Sequence, residues 1–401
     1  MRYSSAIFAL AAPLLASAAP ARFYGKRAET DILVFKFADV LEQLETSFYE
    51  QAIAKFKDAD FTAAGFPSSL IPIEQFQSIL ADETAHSVAL QAALKSFGET
   101  PITGCQFNFD SALTDVATMA ATARVVENVG VAAYLGGAAL LTDPVLLTAA
   151  GSILTIEARH QTILNVLSST GTAIPSAFDF AFTPSEVLAL AAPFITGGCE
   201  IPIPANTPLA LTNAGTVAPG TKLTFQATSI NGTVPEESLF CQMLVGGAPM
   251  TIPLPMSQCI VPEGINGPVA LFVTSDGQPL LNNVRDRAQN KIIAGPALAF
   301  IDTKPQMLGQ LARGSATGAG SGSSNQASTS TRTISPAEAS SIIVSAGAAT
   351  GTDSSAAAPT ATSASSTSGD AASSGASSSG PNLFTGKSPD GKITVNGWKG
   401  A

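Results

Sequence analysis

The chain has 401 residues, 45% hydrophobic and only 12% charged, with 20 Lys and Arg against 30 Asp and Glu for a formal net charge of −10. Such an acidic composition argues against nucleic acid as a partner, because phosphate backbones are met by basic surfaces.

Arg2 followed by the apolar run "AIFALAAPLLASAA" has the layout of a secretory signal peptide: a basic start, an apolar stretch too short to cross a bilayer, and small residues Ala16, Ser17 and Ala18 at a cleavage site. Lys26-Arg27 adds a dibasic processing site. Residues 1–19 are therefore expected to be a signal peptide and 20–27 a short propeptide, with the mature protein secreted and extracellular or wall-associated. Removing these residues takes away four cations and no acid, so the mature chain is still more acidic.

Residues 28–200 read as a helical domain. Helix one is predicted from about Asp31 to Lys57, with Val34, Phe37, Leu41, Leu44, Phe48 and Ala52 recurring at three and four. Helix two is expected to open after Pro72 and stop at Gly98, and helix three to run from Ser111 to Leu141. Helix four starts at Asp143-Pro144, a capping residue followed by proline at the first helical position, and ends near Gly171. The apolar text on either side of Asp143-Pro144 reads as two buried helices rather than a membrane hairpin, and no membrane span is expected. Thr183-Pro184-Ser185-Glu186 has the spacing of a capping box and announces a fifth, shorter helix. Four long amphipathic helices in succession predict a four-helix bundle.

The only two histidines, His86 and His160, each follow a glutamate, Glu83 and Glu157, by three residues. On a helix that spacing puts both side chains on one face, here the apolar one. A buried carboxylate without a partner takes up a proton or finds a cation. Helix one carries Glu42 seven residues before Tyr49, and helix three carries Glu127 seven residues before Tyr134, so the two halves repeat one pattern. One Glu from each of two helices plus Glu-x-x-His from each of the other two is the donor set of a bundle-core dinuclear site. The cofactor expected is a pair of metal ions, iron or alternatively manganese. A haem between His86 and His160 would leave four inward glutamates unexplained.

With "DILVFKFADVLEQLETSFYEQAI", "ILADETAHSVAL", "ENVGVAAYLGGA" and "ILTIEARHQTIL" in place, the chain from about Asp31 to Ser169 resembles secreted fungal members of the ferritin-like superfamily. The resemblance is to the stress-response and late-sexual-development group, related to plant desiccation-related proteins. It implies metal ligands Glu42, Glu83, His86, Glu127, Glu157 and His160, with Glu45, nearer the centre of the helix-one apolar face, as the alternative to Glu42. Tyr49 and Tyr134 then either hydrogen-bond the ligands or serve as radical sites; they read equally well as core residues with satisfied hydroxyls. The activity implied is an oxidase, ferroxidase or peroxide-consuming reaction with oxygen or peroxide as partner. The other reading is a non-enzymatic structural protein of the cell wall or spore surface whose metal site is a vestige.

Residues 201–303 turn to prolines, glycines and short β-prone runs, and a small antiparallel β-sandwich is predicted, with Asn231-Gly232-Thr233 as a glycosylation acceptor. No catalytic constellation appears there, so a structural or adhesive role is expected. Four cysteines in a secreted chain point to disulfides; of three connectivities, Cys105–Cys199 with Cys241–Cys259 is preferred. Residues 304–401 form a Ser, Thr, Ala and Gly tract, expected to be disordered and O-glycosylated. Its end, "GKITVNGWKGA", has no apolar run, and a glycolipid anchor is not expected.

Overall fold

The computed structural model describes residues 29–168 and 170–313, with the backbone of 386–387 and 394–395. The expected leader and nearly all of the expected tail lie outside the described residues.

Four long helices form the first half of the described residues: α1 (Glu29–Lys55), α3 (Leu70–Ser96), α4 (Val116–Ala138) and α5 (Pro144–Leu167), with a short α2 (Asp58–Ala63) after α1. The helix boundaries follow local chemistry. The predicted first helix breaks before Lys57, whose N–H donates to Asp60 Oδ2 at 2.7 Å as α2 begins. The start of α3 is at Leu70 rather than after Pro72, because proline in a first turn gives up an N–H that has no helical partner anyway. For α4, Asp115 accepts the Thr118 N–H at 2.8 Å, so the helix starts five residues later than the Ser111 expected. In α5, Asp143 accepts from the Val145 and Leu146 N–H groups with Pro144 first in the helix, as the sequence predicts. The short α6 (Pro184–Ala191) carries the complete Thr183/Glu186 capping box.

Helix α1 packs along α3 and α4 along α5. Phe37, Leu41, Leu44, Phe48, Phe76 and Ile79 belong to the larger core of the bundle, and Phe35, Leu90, Leu94, Leu146 and Ile153 to a second. No described helix is long and apolar enough to cross a membrane.

The β region is a four-stranded antiparallel sheet in the order β6 (Ile252–Pro255), β5 (Phe240–Val245), β7 (Gly267–Thr274), β8 (Ile292–Ile301). Because side chains alternate along a strand, one face sends Leu244, Ala270 and Phe272 into the bundle core. The opposite face, Cys241, Met243, Leu271 and Val273, packs under Leu209, Leu223 and Val261. The second layer expected of a sandwich is thus thin, comprising irregular chain and the two-residue ladder β3 (Ala210–Leu211) with β4 (Phe225–Gln226). Sheet and bundle are clamped by two arginines. Arg124 of α4 donates to both oxygens of Asp302 at 2.8 Å and to Asn165 Oδ1 at 2.7 Å. Arg287 donates to Glu186 Oε2 at 2.5 Å, with both side chains fully buried.

Cys105 is bonded to Cys199 and Cys241 to Cys259, the preferred connectivity. The pair β1 (Gln106–Phe107) and β2 (Ile195–Gly197) runs antiparallel beside the first of these bonds. Asn231 is exposed. The low-complexity region was expected from residue 304, but ordered chain continues into α7 (Met307–Ala312), where Arg313 donates to Leu167 O at 2.9 Å. Farther on, β9 (Gly386–Lys387) and β10 (Thr394–Val395) pair antiparallel.

Candidate metal centre

The long helices bring six donors to one level of the bundle: Glu42 from α1, Glu83 and His86 from α3, Glu127 from α4, and Glu157 and His160 from α5. All four glutamates are 0% exposed. The six fall into two overlapping groups, Glu42, Glu83, His86, Glu157 and Glu83, Glu127, Glu157, His160, within each of which the ligand atoms lie no more than 4.8 Å apart. Glu83 and Glu157 are common to both. His86 Nδ1 lies 3.2 Å from Glu42 Oε2, 3.1 Å from Glu83 Oε2 and 3.3 Å from Glu157 Oε1. His160 Nδ1 lies 2.8 Å from Glu83 Oε1 and 3.2 Å from Glu127 Oε2. The imidazole rings are 6.3 Å apart with carboxylates around them, which leaves no slot for a porphyrin.

One nitrogen cannot serve three carboxylates. Glu83 Oε1 and both oxygens of Glu157 are buried without a hydrogen bond; the 2.8 and 3.3 Å approaches of the histidines are charge contacts that lack hydrogen-bond geometry. Buried acceptors left over in this way are what a cation would satisfy. Four carboxylates also balance the charge of two divalent ions, so the donor set fits the pair of metal ions that the sequence suggests.

Residues 30–170 match the family model described as a ferritin-like domain. This segment is a ferritin-like domain. No curated protein matches the chain. The matched range begins in α1 and ends just beyond α5, so the ferritin-like domain contains all six donors and leaves α6 and the sheet outside it.

Within the ferritin-like domain the two tyrosines cross between halves. Tyr49 of α1 donates to Glu127 Oε1 on α4 at 2.5 Å, and Tyr134 of α4 makes a short bond to Glu42 Oε1 on α1. Both rings are buried, so their packing role and their hydrogen-bonding role coexist. Glu45, the alternative to Glu42, is buried but belongs to neither donor group. Its Oε1 would lie 3.3 Å from a Cβ at Gly130, the position on α4 that matches Glu45 in the repeat.

Two polar residues escaped the sequence reading. Asp82, with its side chain 53% exposed, places Oδ2 3.1 Å from His160 Nε2. An acid directly before Glu83 is the only signal in the sequence, and helical geometry turns it away from the stripe that flags the others. Asp39, fully buried, accepts from Ser87 at 2.8 Å, Gln43 at 3.0 Å and Gln91 at 3.2 Å. It is a satisfied knot between α1 and α3, and nothing apolar in its spacing announces it.

Burial governs the protonation of the metal-free site. It pushes the Glu83 carboxyl up to about 8, with help from the charges of Glu127 and Glu42. Burial raises Glu157 and Glu45 as well, each helped by neighbouring carboxylates. Burial pulls His160 down, but Asp82, Glu127 and Glu83 more than reverse this and push it up to about 12. His86 is raised against the effect of burial by Glu157, Glu42 and Glu83. Without a cation the site therefore holds protons that an incoming ion must displace.

Proposed function

We propose that the ferritin-like domain binds two metal ions, iron or manganese, through Glu42, Glu83, His86, Glu127, Glu157 and His160, and that the loaded protein is a secreted oxidoreductase acting with dioxygen, peroxide or ferrous ion. The observation that carries this reading is the overlap of the two donor groups, with Glu83 and Glu157 common to both. Glu83 and Glu157 would serve both ions, while Glu42 with His86 and Glu127 with His160 would each complete one of the two groups. Adjacent redox ions, when bound, supply a two-electron step that one ion cannot.

The protein's own groups have separate tasks. Asp82 accepts from His160 Nε2, so that the Nδ1 lone pair would face inward once an ion displaces its proton. Tyr49 and Tyr134 fix the outer carboxylates by donating to one oxygen of each. Full burial of the four glutamates excludes bulk water from the ligands. Secretion is supported by the leader-like N-terminus and by two disulfides, and a role in oxidative or desiccation stress or in sexual development by the resemblance of residues 31–169.

The test is metal analysis by mass spectrometry on protein purified without chelator, beside a Glu83→Ala, Glu157→Ala double variant. About two ions per chain, as the two donor groups require, are expected in the parent and none in the variant. Ferrous-ion oxidation and peroxide consumption are then assayed on the loaded protein. No metal in either protein after reconstitution would overturn the proposal and leave a scaffold protein of the wall or spore surface.

A further inference from the structure

Where α1 gives way to α2 against the first half of α3, a cleft of about 420 Å3 opens to solvent. Its walls are Ala52, Ile53, Phe56, Phe61, Phe76 and Met119; Ile53 is half-buried, and the other five are buried side chains of the bundle core, which the cleft reaches from outside. The polar residues that line it, Lys57, Asp58 and Gln77, are exposed and form the rim. A dry cavity of about 150 Å3 lined by Leu, Ile and Phe already takes up benzene, and small-molecule sites begin at about 300 Å3.

We propose that this cleft binds a small neutral aromatic molecule, a phenol or a similarly hydroxylated ring, with the ring against Phe56, Phe61 and Phe76 and the hydroxyl at Gln77. Three phenylalanines and a thioether favour an aromatic occupant over an aliphatic one, because ring edges and sulfur make specific contacts with a π face. A charged occupant gains little. The walls carry no charge, and the Lys57 ammonium already donates to Ala54 O at 2.6 Å. At the rim, the Gln77 amide offers both a donor and an acceptor to a hydroxyl.

The position of the cleft matters for the rest of the molecule. Phe76 is both its wall and a neighbour of Tyr49, with ring centroids 6.0 Å apart. Tyr49 in turn donates to Glu127 Oε1. An occupant therefore sits one ring away from a tyrosine bonded to a candidate metal ligand. Its role as a substrate there would rest on the dinuclear reading; its binding does not.

The experiment is calorimetric titration of the full-length chain, stripped of metal by chelator, with 4-methylphenol and 1-naphthol, while the Tyr49 ring signals are followed by NMR. Benzoate and cyclohexanol are the charged and non-aromatic comparisons. Saturable binding at one per chain is expected for both phenols, with movement of the Tyr49 signals and at least tenfold weaker binding of the two comparisons. Ala52→Leu, which fills the cleft, should weaken the phenols by at least tenfold; Ile53→Trp, at a half-buried position nearer the mouth, serves if that variant does not fold. The proposal is overturned by absence of saturable phenol binding, by equal binding in a folded cleft-filling variant, or by equal binding of benzoate or of cyclohexanol. Because the protein is metal-free, failure here leaves the metal content standing, and failure to find metal leaves this binding standing.

Discussion

His160 meets an acidic partner at each ring nitrogen, Asp82 at Nε2 and Glu83 with Glu127 at Nδ1, whereas His86 Nδ1 faces three carboxylates and Ile156 occupies the place matching Asp82. The partner behind a metal-binding imidazole sets its tautomer and basicity, and removing one typically costs about 10- to 100-fold in ion affinity. Asp82→Asn should show a loss of that size in competition with a chromophoric chelator, while the unfolding midpoint of the stripped protein barely moves. A larger change in the midpoint than in affinity would assign Asp82 a packing role instead. The tyrosines lend themselves to a different measurement. Tyr134→Phe leaves a buried Glu42 oxygen without its donor, and a loss of about 1–3 kcal/mol is expected in urea unfolding of the stripped protein.

At the scale of the elements, two glycines of α4 separate a packing demand from a site demand. A Cβ at Gly136 would stand 1.8 Å from the Phe182 carbonyl oxygen, and the Phe182 N–H donates to Ala132 O at 2.9 Å, so α4 lies directly on the backbone of the segment before α6. Gly136→Ala must move that backbone and should destabilise by about 1–3 kcal/mol, read as a drop in the thermal midpoint. At Gly130 the added Cβ meets instead the end of a flexible side chain, Glu157 Oε2 at 2.6 Å. Gly130→Ala should therefore keep its thermal midpoint and lose bound metal, and a variant that retains both would mean that Glu157 has room to retreat.

The long helices and the gathering of the six side chains were legible because apolar stripe and Glu-x-x-His spacing share the helical period, which also placed Glu83 and Glu157 inward. The choice of Glu42 over Glu45 was not, since both face the core and only the approach of α3, α4 and α5 decides between them. The helix ends were misplaced where one side chain outweighed the pattern, as at Asp115, and where proline sat harmlessly in a first turn, as at Pro72. The thin second layer of the β region escaped because alternation reports two buried faces but not what buries them: here one face is covered by the bundle.

For the molecule as a whole, the raised groups couple the fold to pH. A carboxyl held up to about 8 when folded contributes stability that is complete below its ordinary value of 4.5 and lost as pH rises toward 8; His160 contributes in the same sense from 6.5 up to about 12. The stripped protein should thus lose stability between pH 5 and pH 8, by roughly 3–6 °C in midpoint for about 1–2 kcal/mol. Metal must displace these protons, so ion affinity rises across the same window and the loaded protein should show no such fall. A stripped protein that grows more stable from pH 5 to pH 8 would contradict this.

The crossing of Tyr49 to Glu127 and of Tyr134 to Glu42 has a consequence for the order of events. Each helical hairpin supplies one glutamate, one Glu-x-x-His pair and one tyrosine, yet each tyrosine serves the other hairpin, so neither half alone assembles a finished site. A hairpin joined to a copy of itself would carry the same donors, and its two positions would be identical. In this chain they are not, because Ile156 and Gly130 stand where strict repetition would place a second Asp82 and a second Glu45. Two ions would therefore enter in sequence, the first toward His160, the imidazole whose outer nitrogen is backed by a carboxylate, Asp82. Titration with a single metal would then pass through a half-filled species, distinct from both the empty and the full protein.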